Sequence, residues 1–148
     1  MNLDVNLDDL YQEIILDHAK RPRHFGPLAD ATVSVHADNP MCGDEVDVHL
    51  KLTPEGAVEA LNFTGNACSI CTASASLMTG KLLRKTADEC RAMSKTFQEM
   101  LKSDQAVAVP KEFGDLKALA GVRKFPQRVK CATLAWHAVE DALKEAGV

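Results

Sequence analysis

The polar and apolar positions of the chain change period twice. Leu7, Leu10, Tyr11, Ile14, Ile15 and His18 recur at the spacing of one helical face. Asp8 and Asp9 fall in its first turn, where the helix dipole favours negative charge. Lys20, Arg21 and Arg23 lie at the far end, and Pro22 terminates the helix before a connecting loop from Arg23 to Leu28. The period then shortens to two. Val33, Val35 and Ala37 alternate with Thr32, Ser34 and His36; Val46, Val48, Leu50 and Leu52 alternate with Glu45, Asp47, His49 and Lys51. Thr53-Pro54-Glu55-Gly56 is a turn, and Leu61 and Phe63 mark one face of a third strand that Gly65-Asn66 breaks. Short connections predict an antiparallel meander with one wet and one buried face.

The helical period returns in the second half. Ser69 is placed to cap a helix to about Leu83, with Ile70, Ala73, Leu77, Leu82 and Leu83 as its apolar positions. Thr86-Ala87-Asp88-Glu89 fits a capping box for a helix to about Lys102. From Ser103 to Gly121 the pattern is irregular, interrupted by Pro110 and Gly114, with one short helix at Leu116 to Ala120. Pro126 starts a last helix whose core stripe is Val129, Ala132, Trp136, Val139 and Leu143; Glu140, Asp141, Lys144 and Glu145 form its solvated face. A helix, three antiparallel strands and further helices make an α+β fold, with helices on one face of the sheet.

The 148 residues suit one domain, 1–148, with no repeat, linker or low-complexity tract. A net charge of −4 and a pI near 5.7 argue against nucleic acid or an acidic lipid surface as partner, since both need a cationic footprint. No apolar run is long enough to cross a bilayer, and Met1-Asn2-Leu3-Asp4 lacks the basic-then-apolar layout of a signal peptide. The reading is a cytoplasmic protein. Its five cysteines are an odd number, and in a reducing compartment they point to metal ligands, nucleophiles or core residues before disulfides.

Three of those thiols stand where a thiolate is favoured. Cys42 and Asp44 flank Gly43 in the loop Asn39-Pro40-Met41-Cys42-Gly43-Asp44, which offers a thiolate and a carboxylate on one turn. Cys68 lies at a helix N-terminus, and Cys131 is in the first turns of the last helix beside Arg128 and Lys130. Zinc takes soft thiolates in a tetrahedral shell and accepts a carboxylate as fourth ligand, so Cys42, Asp44, Cys68 and Cys131 are the candidate metal site. Cys71 leaves alternatives open. With Cys68 it forms Cys-x-x-Cys, a redox pair in a thioredoxin-like setting that the meander does not supply; it could replace Asp44 as ligand; or it is a small buried residue one turn into the helix. Cys90 reads as core filler, and His18, His36, His49 and His137 as ordinary core or surface histidines.

Four segments together resemble a known family. They are Leu10-Tyr11 and Asp17-His18 with Lys20-Arg21-Pro22-Arg23 and Gly26; Asn39 to Asp44; Cys68-Ser69-Ile70-Cys71-Thr72-Ala73-Ser74-Ala75-Ser76; and Arg128-Val129-Lys130-Cys131-Ala132-Thr133-Leu134-Ala135-Trp136. Over nearly its whole length the chain is similar to the SufU branch of the IscU/NifU-N-terminal-like family of iron–sulfur cluster assembly proteins. The resemblance implies the SufE/NifU (IscU-like) fold and zinc ligands at Cys42, Asp44, Cys68 and Cys131. It implies that Cys42 accepts sulfur as a persulfide from a pyridoxal-phosphate cysteine desulfurase of the SufS type and passes it to downstream iron–sulfur assembly proteins. Lys130 stands where the IscU branch has histidine, and the long Cys68–Cys131 interval also matches the SufU branch. Phe125-Pro126-Gln127-Arg128-Val129-Lys130 does not match the IscU-branch chaperone motif, which argues against a dedicated Hsp70-type partner. Lys130 and Arg128 would stand behind the ligands as stabilising cations. The alternatives are an IscU-like scaffold building a [2Fe–2S] cluster on the same ligands, and a zinc module whose metal only holds the fold together.

Overall fold

The computed structural model describes residues 7–102 and 109–148. Helix α1 spans Leu7–Lys20, strands β1, β2 and β3 span Val33–Asn39, Asp44–Leu52 and Val58–Asn66, and α2 spans Ser69–Leu82. Helix α3 (Ala87–Lys102), a 3-10 segment (Lys111–Lys124) and α4 (Pro126–Glu145) complete the order. The strands form one antiparallel sheet in the order β1-β2-β3. Their alternation is the one the sequence predicts: Val46, Val48 and Leu50 are fully buried, as are Leu61 and Phe63 on β3. The polar positions of β1 and β2 face water, where Ser34 and His49 share a hydrogen bond and His36 meets Asp47 across the register pair His36↔Asp47.

Helices cover the apolar face. α4 packs on β1 and β2, and α2 lies between α1, α4 and the 3-10 segment. Trp136 of α4 is fully buried and stacks on Phe97 of α3, ring centroids 4.5 Å apart. Its indole Nε1–H donates to Ser74 Oγ at 3.1 Å, so the largest core side chain leaves no polar atom unpaired. The Val129-to-Leu143 stripe of α4 is buried or half-buried throughout. The capping box is also present: Thr86 N–H donates to Glu89 Oε1 at 2.9 Å, and Glu89 N–H to Thr86 Oγ1 at 3.2 Å.

Several local expectations change. Gly65 does not break β3; it and Asn66, the strand's last residue, remain paired, opposite Val46 and Glu45. A Cβ at Gly65 would lie 2.2 Å from the Glu45 carbonyl oxygen, so the glycine is a point of close backbone approach within the ladder. The cap of α2 is Cys68 and not Ser69; its Sγ accepts from Cys71 N–H at 3.4 Å. The helix has no apolar stripe either, because Cys71 and every residue from Ala73 to Thr79 are buried. Small side chains allow that central position. The short helix expected at Leu116 is a longer 3-10 run interrupted at Gly114 (φ 48°), while 103–108 and the side chain of Leu7 lie outside the described residues. Finally, α1 buries less than its periodicity suggests. Leu10 is exposed, Tyr11, Ile14 and Ile15 are half-buried, and His18 spends its Nδ1 on Ser76 Oγ at 2.7 Å.

Candidate metal centre

The site is assembled at one end of the sheet, where the β1–β2 hairpin meets the N-termini of α2 and α4. Asn39 and Asp44 are the closing pair of the hairpin. Between them the chain reverses tightly: the Asn39 carbonyl accepts from Cys42 N–H at 3.1 Å and Gly43 N–H at 2.8 Å. Gly43 has φ +73°, a left-handed conformation that glycine adopts at no steric cost. The turn leaves Met41 85% exposed and Cys42 exposed, and tucks Asp44 in at 2% exposure.

Asp44 is held from the α2 side. Its Oδ1 accepts from Cys68 N–H at 2.7 Å, a charge-assisted bond to a free amide at the helix start. Its Oδ2 lies 3.4 Å from Cys68 Sγ. From the α4 side comes Cys131, fully buried, whose Sγ is 3.0 Å from Cys42 Sγ across 89 residues of sequence. Cys42, Asp44 and Cys131 thus present donor atoms all within 4.8 Å of one another. Cys68 adjoins the trio through Asp44, with no pairing to either of the other sulfurs that brings it into the same mutual distance. The four predicted positions therefore converge, three tightly and one at the edge.

The chemistry of the donor set fits a cation. Burial pushes the Cys131 thiol pKa up, and its hydrogen bonds with Cys42 and Asp44 push it the same way. Position in the first turns of α4 beside basic residues does not offset this, contrary to the expectation from sequence that Cys131 favours its thiolate. Three potential anions in so small a volume repel one another, and a divalent ion would relieve that repulsion while displacing the thiol protons. Thiolates plus one carboxylate are the soft and hard ligands that zinc accepts in a tetrahedral shell.

Two basic residues of α4 lie near the site in sequence, Arg128 and Lys130. Arg128 stands one helical turn before Cys131, at i−3, and its guanidinium pKa is raised further by the charge of Cys68, then by a hydrogen bond to Cys131. Lys130, one residue from Cys131 in sequence, is exposed, as Arg128 is, but sequence neighbours do not share a helix face. Asn39 is the residue that sequence reasoning did not single out. It is 6% exposed, its Oδ1 accepts from Met41 N–H, and its Nδ2 donates to Cys42 Sγ at 3.4 Å and reaches Cys131 Sγ at 4.0 Å. The available signal was its place three residues before Cys42, where an Asx-type side chain bonds the turn it starts.

Cys71 is buried, and burial followed by the negative charges of Asp44, Cys68 and Cys42 pushes its pKa up. Cys90 is buried in the core cluster, its thiol pushed up to about 11 by burial. A second cluster with metal-capable spacing, His36, Asp38 and Glu45, lies exposed on the wet face of the sheet. Beside the thiol site, a cavity of about 330 Å³ is lined by Tyr11, Ile15, Ile70, Val122 and Phe125, with Arg128 at its rim. Among the described residues no helix is long and apolar enough to cross a membrane.

Known proteins place this architecture. The NifU-like N-terminal domain matches residues 10–145. The iron–sulfur cluster assembly scaffold protein IscU of Streptococcus pyogenes serotype M1 is 44% identical over 138 residues, covering 93% of this chain and 85% of that protein. The zinc-dependent sulfurtransferase SufU of Bacillus subtilis (strain 168) is 43% identical over 151 residues, covering 99% of both chains. The crystal structure of the N-terminal part of a nitrogen-fixing NifU-like protein from Brucella abortus superposes with a TM-score of 0.84 at 30% identity, covering 95% of this chain and 96% of that one. With its three-stranded antiparallel sheet under helices and its cysteines gathered at the hairpin end, the chain belongs to the NifU-like N-terminal domain family of iron–sulfur cluster assembly proteins.

Proposed function

We propose that this protein is a zinc-bound sulfur acceptor, which takes persulfide sulfur on Cys42 from a PLP-dependent cysteine desulfurase of the SufS type and delivers it to iron–sulfur cluster assembly in the cytoplasm. The observation that supports it is an asymmetry among the gathered thiols. Cys42 is exposed on a hairpin tip, whereas Cys131 and Cys71 are buried and Cys68 is half-buried. A sulfur donor must bring its own persulfide to within bonding distance of the acceptor, and only Cys42 offers that access. Cys42, Asp44, Cys68 and Cys131 would hold the zinc, whose chemistry is to keep the thiols deprotonated while limiting their reactivity. Arg128 would stabilise the anionic shell from its place beside Cys68 and Cys131. Lys130 and the long Cys68–Cys131 interval, both resembling the SufU branch, favour this reading over its rival.

The rival is a scaffold that builds an iron–sulfur cluster on the same ligands, favoured by the name of the Streptococcus pyogenes relative. One experiment separates the two. The protein is purified anaerobically, its zinc and iron are quantified, and turnover of a cysteine desulfurase is assayed with wild type and with Cys42→Ala. Stoichiometric zinc, faster turnover with wild type and none of that gain with Cys42→Ala are expected. Stoichiometric zinc without any rate gain sinks the sulfur-transfer reading, and recovery of a stable iron–sulfur cluster favours the scaffold.

A further inference from the structure

Asn39 stands where the hairpin tip meets the thiols. It is the last residue of β1, buried, with its backbone fixed by pairing to Asp44. Its carbonyl takes the Cys42 and Gly43 N–H groups, and its Oδ1 takes the Met41 N–H. An amide oxygen turned to a backbone donor leaves the NH2 group for the sulfurs, so the turn sets the orientation of the side chain. Nδ2 donates to Cys42 Sγ at 3.4 Å, with Cys131 Sγ at 4.0 Å. The two side-chain bonds to the tip, one to Met41 and one to Cys42, are lost together when the tip moves. The ends of the sulfur contact differ in freedom. The amide is tied to the sheet, whereas Cys42 is exposed and a Cβ at Gly43 would meet only open space. A fixed donor against an exposed sulfur is a restraint that Cys42 must give up on leaving the site.

A restraint of this kind also governs reactivity. Electron density that a sulfur commits to an N–H is withdrawn from attack on an electrophile. A bond made before reaction and lost on the way to the transition state raises the barrier. Neighbours of a metal ligand tune it in this way without touching the metal. From this geometry we propose that Asn39 is a positioning residue for sulfur transfer: its side-chain amide holds the Cys42 sulfur beside Cys131 and keeps it a weak nucleophile until the sulfur donor draws the hairpin tip outward. The inference rests on the reading of Cys42 as sulfur acceptor, and it adds a requirement to that reading. Exposure offers Cys42 to every electrophile in solution; the amide reserves it for a partner able to displace the tip. Arg128 does not serve this purpose, since its hydrogen bond goes to Cys131.

The test needs no desulfurase. Zinc-loaded protein is treated with iodoacetamide, and modification of the Cys42 peptide is followed by mass spectrometry. In parallel, cobalt(II) replaces zinc and the sulfur-to-cobalt charge-transfer absorption is recorded. Asn39→Ser keeps an oxygen for the Met41 N–H but ends one bond short of the place of Nδ2. Asn39→Thr does the same with a side chain better suited to a strand, in case the serine variant folds poorly. Both should hold zinc as wild type does, since neither removes a ligand. In both, Cys42 should be alkylated about tenfold faster than in wild type, the low end for one hydrogen bond to a charged group because sulfur is a weak acceptor. The charge-transfer band should move to longer wavelength, since a thiolate without its donor gives up electrons more easily. Pro40→Ala loosens the same tip and leaves the amide in place, so its rate should stay within about twofold of wild type, with the band unmoved. Alkylation of the Asn39 variants at the wild-type rate, an unmoved band, loss of zinc from both, or an equal acceleration in Pro40→Ala overturns the inference. The acceptor reading fails in a different measurement, the absence of any gain in desulfurase turnover with wild type, so the two failures are told apart.

Discussion

The proposed function gives Asp44 two separable jobs, and a pair of substitutions divides them. Its carboxylate is nearly fully buried, with Oδ1 accepting from Cys68 N–H at 2.7 Å and Oδ2 turned toward the sulfurs. Asp44→Ala removes both functions. It deletes a charge-assisted hydrogen bond, about 1.5–3 kcal/mol net, and leaves a helix-start amide at the α2 junction without a partner. Asp44→Asn keeps a side-chain oxygen at the same place and removes only the charge. With metal stripped by a chelator, urea denaturation should show Asp44→Ala about 2–3 kcal/mol less stable than wild type and Asp44→Asn within about 1 kcal/mol. With zinc restored, both variants should lose most of the added stability that zinc gives wild type, since each lacks the anionic ligand. A chelator competition measures that loss directly. If metal-free Asp44→Ala is as stable as wild type, the bond to Cys68 is not a latch between hairpin and helix. If Asp44→Asn binds zinc as tightly as wild type, Asp44 is not a ligand.

The same end of the sheet and the core supply two further tests. Gly65→Ala must accommodate a Cβ that would sit 2.2 Å from the Glu45 carbonyl at φ +137°; a loss of about 2–4 kcal/mol in urea unfolding is expected, and zinc affinity should fall with it because β2 carries Asp44. A change under about 0.5 kcal/mol would show that the backbone approach is not close. Cys90 is protonated in the folded protein up to about 11, well above an unperturbed thiol. Folding is therefore favoured by this group below the unfolded pKa and loses that contribution as pH rises toward about 11. Cys90→Ala should flatten the alkaline fall in stability above about pH 8.5, the ordinary thiol value, and an unchanged slope across that range would refute the assignment.

The elements of this chain were legible because each is written in local chemistry. The alternation of Val46, Val48 and Leu50 marks a half-buried strand, and Thr86 with Glu89 marks a helix start through bonds spanning three residues. Where a residue type has two uses, the sequence alone chose wrongly. Gly65 could break a strand or permit backbone contact, and only the proximity of Glu45 decides between them. A thiol sulfur can also accept at a helix start, though weakly, and Cys68 took the place assigned to Ser69.

At the site, the sequence supplied the donors and the tertiary structure supplied their order. Residue types and helix-start positions named Cys42, Asp44, Cys68 and Cys131 as a set, since thiolate and carboxylate chemistry depends on the side chain. That Cys42 and Cys131 touch while Cys68 stands at the edge depends on how α4 docks on β1 and β2, a packing of core side chains distant in sequence. Helical geometry brings Arg128 closer to Cys131 than Lys130: residues i and i+3 share a face, and neighbours in sequence do not. Asn39 gained its role only when its strand, the hairpin turn and α4 met, placing one amide against two sulfurs. Local periodicity marks elements because each buries one face, so its apolar positions recur at that element's own period. Exposure of one thiol and burial of its partner are properties of the assembled layers.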